Sequence, residues 1–215
     1  MLSNPTIVAQ KRLSEKTEIA SDSISDIIKA AIHRAHVLTQ GHFIFADGAH
    51  ATLKLEMDNL WKHPEELKTV LHHLAERGEG LSADVVLGVP SGGQQLADGA
   101  LERGFVARPI AHLERVPGGA KQDFRFCSEH DEQLVRKAQL IVIYEDVVST
   151  MSSIAGVVRL LNPAAQEIHA VAIWRRGTLL PPYSAGIVPH FLVEEEIPMY
   201  SPDKCPVCMD IDPSF

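Results

Sequence analysis

With 215 residues, of which 45% are hydrophobic and 22% charged, the chain has the size and composition of one globular domain. Its 20 basic and 28 acidic residues give a formal net charge of −8, which disfavours nonspecific binding to nucleic acid or to an anionic membrane and favours a small-molecule substrate. No apolar run approaches the ~18 residues of a membrane-spanning helix, and the N-terminus lacks the apolar stretch of a secretory leader. We therefore expect a cytoplasmic protein.

Helix and strand patterns alternate along the chain. Apolar residues at spacings of three and four predict an amphipathic helix over 22–38, and a turn-rich passage follows at 42–52. A second helix begins at Pro64 and ends at Gly78. The later elements are a strand at 85–89, a helix at 94–103, strands at 106–113 and 140–146, a helix at 152–161, and strands at 168–174 and 190–195. The alternation predicts an α/β fold, with a Rossmann-like parallel sheet flanked by helices and right-handed crossovers.

A polar stretch at 114–132 interrupts this alternation. It contains Pro117, Gly118 and Gly119, which are typical of irregular structure. We predict a long loop of the kind that closes over an active site.

The segment 140–153 is the first candidate site. Its apolar start is typical of a strand buried in a parallel sheet, and such sheets bind ligands at the carboxyl ends of their strands. There Glu145 and Asp146 can accept hydrogen bonds from vicinal hydroxyls, while the hydroxyl-rich residues 149–153 and the next helix's free N–H groups can hold a phosphate. The alternative is an ordinary strand, turn and N-capped helix.

Residues 91–93 form a small-residue turn between a second predicted strand and helix. Ser91, Gly92 and Gly93 leave backbone N–H groups unobstructed at a helix N-terminus, which suits an anion such as pyrophosphate. A glycine-rich tight turn without a ligand is the alternative. Two such loops after two strands of one sheet favour a binding site.

The three cysteines, Cys127, Cys205 and Cys208, are too few and too unevenly placed for a disulfide framework, as expected in a reducing compartment. Cys205 and Cys208 have metal-ligand spacing, but they supply only two of the four ligands of a structural zinc site. We favour a plain tail. A site completed by a histidine or by a second subunit stays open.

The segment 140–153 resembles the phosphoribosyl pyrophosphate (PRPP) signature of the type I phosphoribosyltransferases. In that signature two acids and two apolar residues precede Thr-Thr-Gly-Gly-Ser. The chain has Ser149, Thr150, Met151, Ser152 and Ser153 in the last five positions, so both glycines are replaced.

Other segments are similar to the orotate phosphoribosyltransferase family. They are Gly-His-Phe-Ile-Phe-Ala-Asp-Gly-Ala-His-Ala at 41–51, the loop at 89–93, Trp-Arg-Arg-Gly at 174–177 and Ile-Pro-Met-Tyr-Ser-Pro-Asp-Lys-Cys-Pro-Val-Cys at 197–208. The likeness keeps the same order over about residues 20 to 208. It implies the type I phosphoribosyltransferase fold in one domain over 1–215, with an N-terminal helix and hood at about 20–60, a core at about 61–197 and a tail at 198–215.

The resemblance also implies an activity. The enzyme would transfer phosphoribose from PRPP to orotate, with Mg²⁺ as cofactor and PRPP and orotate as its substrates, giving orotidine 5′-monophosphate and pyrophosphate. A loop shared across a twofold axis would favour a homodimer. The alternatives are a phosphoribosyltransferase for another nucleobase, and a non-catalytic module that senses PRPP or a nucleotide.

The resemblance assigns roles to individual residues. The residues assigned to PRPP are Ser91, Gly92, Gly93, Val147, Val148, Ser149, Thr150, Met151, Ser152 and Ser153. The catalytic candidates are Glu145, Asp146, Arg115 and Lys121, and Asp146 is also a possible Mg²⁺ ligand, although the metal would be bound mainly through PRPP. The candidates for the base are Arg176, Phe43 and Phe45, with core packing as the alternative for both phenylalanines.

The 114–132 loop departs from the family pattern. Arg115 stands at a position where the family has lysine, and the family's Lys-x-His-Gly element is absent. Lys121 and Arg125 could substitute by position, with ordinary solvated side chains as the alternative.

Overall fold

A computed structural model describes residues 23–45, 48–162, 164–177 and 186–209. Its helices are α1 (Ile24–Arg34), α2 (Pro64–Glu79), α3 (Gly92–Glu102), α4 (Glu129–Lys137), α5 (Ser152–Val158) and α6 (Pro206–Met209), with short 3₁₀ helices at Met57–Lys62 and Pro202–Lys204. Its strands are β1 (Leu38–Ile44), β2 (His50–Leu55), β3 (Val85–Gly88), β4 (Ile110–Ala111), β5 (Leu113–Arg115), β6 (Phe124–Phe126), β7 (Leu140–Val148), β8 (Glu167–Arg175) and β9 (Ile187–Glu194).

Five strands form a central sheet in the order β4-β3-β7-β8-β9, and every neighbouring pair is parallel. Successive residues of a strand face opposite sides of the sheet, and the core is accordingly divided in two. Tyr144 packs in the cluster that contains α1, α2 and α3, whereas the preceding Ile143 packs in the cluster with α4 and α5. The predicted α/β fold with helices on both faces is confirmed.

The hood is a β1–β2 antiparallel hairpin. The tail joins it through a bridge in which the backbone N–H and C=O groups of His50 and Tyr200 exchange two hydrogen bonds of 2.8 Å. None of the helices in the described part of the chain combines the length and apolar character that crossing a bilayer requires.

The prediction of a long loop over 114–132 was wrong. β5 and β6 pair as an antiparallel hairpin around a connection at 116–123, and α4 begins at Glu129. The alternation of Phe124, Arg125 and Phe126 is a strand pattern, and the Ser128 side chain accepts a hydrogen bond of 3.2 Å from the Asp131 N–H as a helix N-cap.

Strand β7 extends beyond its predicted end at Asp146. Val147 and Val148 pair with Trp174 and Arg175 of β8, because β-branched residues suit an extended ladder. Glu145 and Asp146, the acid pair, therefore lie within the strand. The turn predicted at Asp47-Gly48 and the part of the tail beyond residue 209 fall partly or wholly outside the described residues.

Candidate active site

The loop at 91–93, which follows β3, lies against residues 144–146 of β7. A Cβ at Gly93 would collide with the backbone carbonyl of Tyr144, and a Cβ at Gly92 would displace the Asp146 carboxylate. Close approach thus explains both glycines. The N-terminus of α3 consequently lies directly beside the acid pair.

An open cavity of about 790 Å³ adjoins this junction. Its lining comprises Lys54, Leu55, Glu56, Met57, Asp58, Asn59, Lys62, Lys121, Glu145, Asp146, Val147, Val148, Ser149, Thr150, Met151, Ser152, Ser153, Ile154 and Arg176. The cavity therefore brings together the whole predicted stretch from Glu145 to Ser153, Lys121 and Arg176. Gly92 lies in a small neighbouring cleft that it shares with Asp146.

Glu145 and Asp146 both line the cavity although they are successive residues of one strand. The Asp146 N–H donates to Glu145 Oε1 over 3.1 Å, and the Val147 N–H donates to Asp146 Oδ1 over 2.6 Å. Glu145 is only 7% exposed. Burial, and then the charge of Asp146, raise the pKa of the Glu145 carboxyl well above its ordinary value, while Arg115 opposes the shift.

The hydroxyl-rich segment 149–153, here called the hydroxyl loop, turns sharply at Met151. This residue has a φ of 63°, a left-handed conformation that glycine adopts without cost, and it is the residue immediately before α5. Its side chain is 5% exposed and packs in the α4–α5 core cluster. The loop thus keeps the conformation that glycine favours while burying an apolar side chain. Nearby, the hydroxyl of Thr150 donates to Ser152 Oγ over 3.2 Å.

Arg176 joins the hydroxyl loop to the hood. Its Nε donates to Ser149 Oγ over 2.6 Å, and its guanidinium lies over the Phe45 ring with 5.3 Å to the ring centroid. The ring of Phe43 has a different cationic neighbour, since the Lys54 ammonium lies 5.7 Å from its centroid. Of the two phenylalanines, only Phe45 contacts the predicted base-binding arginine through its ring.

Arg115 joins the β5–β6 hairpin to the loop before α3. Its guanidinium donates to the carbonyl of Pro90 over 2.6 Å and to that of Lys121, and it lies 5.3 Å from the Phe124 ring centroid. Arg115 therefore holds the hairpin turn, including Lys121, beside the cavity. Arg125 instead pairs with Glu114 over 2.6 Å in an exposed ion pair on the hairpin.

Strand β2 and the 3₁₀ helix that follows it supply lining residues that the sequence analysis missed. Lys54, Asp58 and Lys62 face the same cavity as the acid pair, and Lys54 also donates to Glu56 over 2.9 Å. Nothing in their spacing distinguishes them from solvated charges. Only the tertiary packing of β2 and the 3₁₀ helix reveals their position.

No protein-family model matches the chain. The sequence is 27% identical over 184 residues to the orotate phosphoribosyltransferase of Thermotoga maritima, covering 85% of this chain and 92% of that protein. It is 24% identical over 181 residues to the enzyme of the same name from Caldanaerobacter subterraneus subsp. tengcongensis, covering 82% and 88%.

Solved structures share the fold. Orotate phosphoribosyltransferase from Aeropyrum pernix superposes with a TM-score of 0.62 at 19% identity, covering 78% of this chain and 93% of that chain. Adenine phosphoribosyltransferase from Trypanosoma brucei, in complex with AMP, pyrophosphate and ribose 5-phosphate, superposes with a TM-score of 0.59 at 15% identity, covering 79% of each. The resemblance seen in the motifs is thus confirmed: the chain has the type I phosphoribosyltransferase fold and is similar in sequence to orotate phosphoribosyltransferases along most of its length.

Proposed function

We propose that this protein transfers the 5-phosphoribosyl group from Mg-PRPP to orotate, giving orotidine 5′-monophosphate and pyrophosphate. The observation that carries the proposal is the single cavity in which the acid pair, the hydroxyl loop and Arg176 meet. Similarity to proteins named orotate phosphoribosyltransferase over 85% of the chain supports the choice of base.

The parts of PRPP fit different parts of the site. Hydroxyls and N–H groups of residues 149–153 can donate to the 5′-phosphate, as phosphate oxygens require. Glu145 and Asp146 accept hydrogen bonds from the ribose hydroxyls. Pyrophosphate lies at the loop of Ser91, Gly92 and Gly93, where the N-terminus of the 11-residue α3 favours negative charge.

Mg²⁺ suits the donors that this site offers. The carboxylates of Asp58, Glu145 and Asp146 line the cavity, and Mg²⁺ is bound through one or two carboxylates together with substrate phosphates. Asp146 would hold the ion with PRPP, because its carboxylate abuts the loop proposed for pyrophosphate. When bound, the ion neutralises charge on the phosphate oxygens.

Reaction requires no protein nucleophile. The bond between the anomeric carbon and the pyrophosphate oxygen breaks and its electron pair leaves with pyrophosphate, while a ring-nitrogen electron pair of orotate forms the new bond and the proton of that nitrogen leaves to solvent. Positive charge develops on the ribose between these events, and the adjacent Asp146 carboxylate stabilises it. Arg176 donates to the carboxylate or carbonyl edge of orotate, with Phe45 beneath its guanidinium, so that the ring nitrogen is oriented.

The loop proposed to close over the substrates is the turn between β5 and β6. Lys121 lies at the cavity and can reach the phosphates as a cation, while Arg115 positions that turn through its bonds to Pro90 and Lys121.

We further propose that the protein acts in the cytoplasm as a single-domain homodimer. Sedimentation velocity of the purified chain tests the dimer.

Base choice is tested by supplying Mg-PRPP with orotate, and separately with each other common nucleobase, and measuring pyrophosphate release. Release with orotate supports the proposal. Release only with another base retains the chemistry and replaces the substrate. PRPP binding by calorimetry without release for any base would favour a sensing module.

A further inference from the structure

A cluster of four metal-ligand side chains lies outside the cavity. It consists of His42, His50, Cys205 and Cys208, whose ligand atoms all lie within 4.8 Å of one another. Cys205 is fully buried and His50 is 7% exposed. The cluster joins residues more than 150 positions apart in sequence, since His42 and Cys205 are separated by 163.

The fold explains how the two histidines come together. His50 pairs with Ile44 across the hairpin, and His42 lies in a bulge between Gln40 and Phe43 that interrupts the register. The centroids of the two imidazole rings are 4.9 Å apart, so both histidines lie on the same face of the hairpin. The bridge between His50 and Tyr200 then brings the tail, and with it both cysteines, to this face.

Hydrogen bonding alone cannot account for the contacts at His42. Its Nε2 lies 3.0 Å from His50 Nδ1, 3.5 Å from Cys205 Sγ and 3.5 Å from Cys208 Sγ. One ring nitrogen carries either one proton or one lone pair, so it cannot bond well to three neighbours at once. Three groups converging on one nitrogen instead suggest a shared centre.

The separations match those of a tetrahedral ion. With Zn–S near 2.3 Å and Zn–N near 2.05 Å, tetrahedral geometry places sulfur and nitrogen about 3.6 Å apart and two nitrogens about 3.3 Å apart. Three of the four sulfur–nitrogen separations are 3.5, 3.5 and 3.3 Å, the last between Cys208 and His50, the fourth is within 4.8 Å, and the nitrogen–nitrogen separation is 3.0 Å.

We propose that His42, His50, Cys205 and Cys208 bind one Zn²⁺ ion. Two thiolates and two imidazoles favour zinc over Mg²⁺ or Ca²⁺, which prefer oxygen ligands. Four protein ligands complete a tetrahedron, so the site is structural. It clamps the tail to the hairpin that continues to Phe45. The plain tail favoured by the sequence analysis leaves the convergence of these four side chains unexplained, whereas the alternative of completion by histidine accounts for it.

Metal content tests the site without reference to activity. Tag-free protein purified without chelator should hold about one zinc per chain, because structural sites bind a single ion tightly. Cys208→Ser and His42→Gln remove the less buried ligands and should each lower the zinc content to near zero. Cys127→Ser, which changes the exposed third cysteine, should leave it unchanged.

Two measurements on the unmodified chain test the site even if the variants do not fold. Cobalt exchanged into the unmodified chain should give the thiolate charge-transfer and intense visible bands of tetrahedral sulfur ligation. A chelator should lower the unmodified chain's melting temperature, and added zinc should restore it. Absence of zinc after dialysis against the ion, zinc retained in both ligand variants, or a Cys205–Cys208 disulfide found by thiol titration would each overturn the proposal.

Discussion

Arg176 donates a 2.6 Å hydrogen bond from its Nε to the hydroxyl of Ser149, and the same guanidinium covers the ring of Phe45. The residue proposed to bind the base thus contacts the loop proposed to bind phosphate. This contact connects the hood, the sheet and the hydroxyl loop. It also means that a substitution of Arg176 tests the proposed arrangement of the two substrates.

Arg176→Ala should raise the KM for orotate by about tenfold or more, because hydrogen bonds to charged groups contribute about 1.5–3 kcal/mol. The KM for PRPP should rise less, since on that side Arg176 acts through its bond to Ser149. Steady-state kinetics with each substrate varied in turn measure both effects. Arg175→Ala is the matched control, because Arg175 pairs with Glu194 over 3.1 Å instead. Unchanged orotate kinetics in Arg176→Ala would remove this residue from the base site.

Arg115→Ala should weaken PRPP binding several-fold, because the hairpin turn with Lys121 loses its attachment to Pro90. The Kd for Mg-PRPP from calorimetry measures the effect. Arg125→Ala removes another hairpin arginine, whose exposed ion pair with Glu114 contributes about 0–1 kcal/mol, and should leave PRPP binding unchanged. Equal effects of the two substitutions would show that Arg115 has no special part in positioning the loop.

Met151→Gly should destabilise the fold by about 1–2 kcal/mol, even though glycine adopts the left-handed backbone conformation of this position without strain. Relief of the backbone recovers roughly 1–2 kcal/mol, but the buried side chain contributes roughly 1.5–3 kcal/mol and glycine adds a further unfolded-state cost of about 0.5–1 kcal/mol. Urea unfolding measures the difference. A more stable variant would mean that backbone strain, and not burial, dominates at this position.

Glu145→Gln should increase stability at neutral and alkaline pH. The folded state raises the pKa of Glu145, so above the ordinary pKa of 4.5 the folded chain keeps a proton that the unfolded chain releases. Stability from this group is therefore complete below pH 4.5 and declines as the pH rises through the folded pKa. Glutamine has no ionisable carboxyl group, so the variant lacks this pH-dependent loss of stability. Melting temperatures from pH 4 to 9 should fall more steeply for the unmodified chain than for the variant, and parallel curves would contradict the assignment.

Most of the central sheet could be predicted from the sequence, because short apolar runs and helical spacing report burial directly. α2 was predicted from Pro64 to Gly78 and extends from Pro64 to Glu79. The β5–β6 hairpin was missed because its strands have three residues each, too few for periodicity to exceed the surrounding polar residues.

The candidate site was predictable where one local segment carries several functional residues. Residues 145–153 run from the end of β7 through a turn into the start of α5, and the whole stretch lines the cavity. Lys54 and Lys62 lie in another part of the chain, and only tertiary packing brings them there. The same holds for His42 and Cys205, whose proximity depends on a hairpin and a bridge from the tail.

The central claim is tested most directly by following orotidine 5′-monophosphate formation from Mg-PRPP and orotate, using the unmodified chain and Asp146→Asn. We predict product and pyrophosphate in equal amounts from the unmodified chain. The variant should be slower by at least about tenfold, equivalent to about 1.4 kcal/mol, because it lacks the charge that stabilises the ribose cation and holds Mg²⁺. No product from the unmodified chain at saturating substrates, or equal rates for both proteins, would contradict the account.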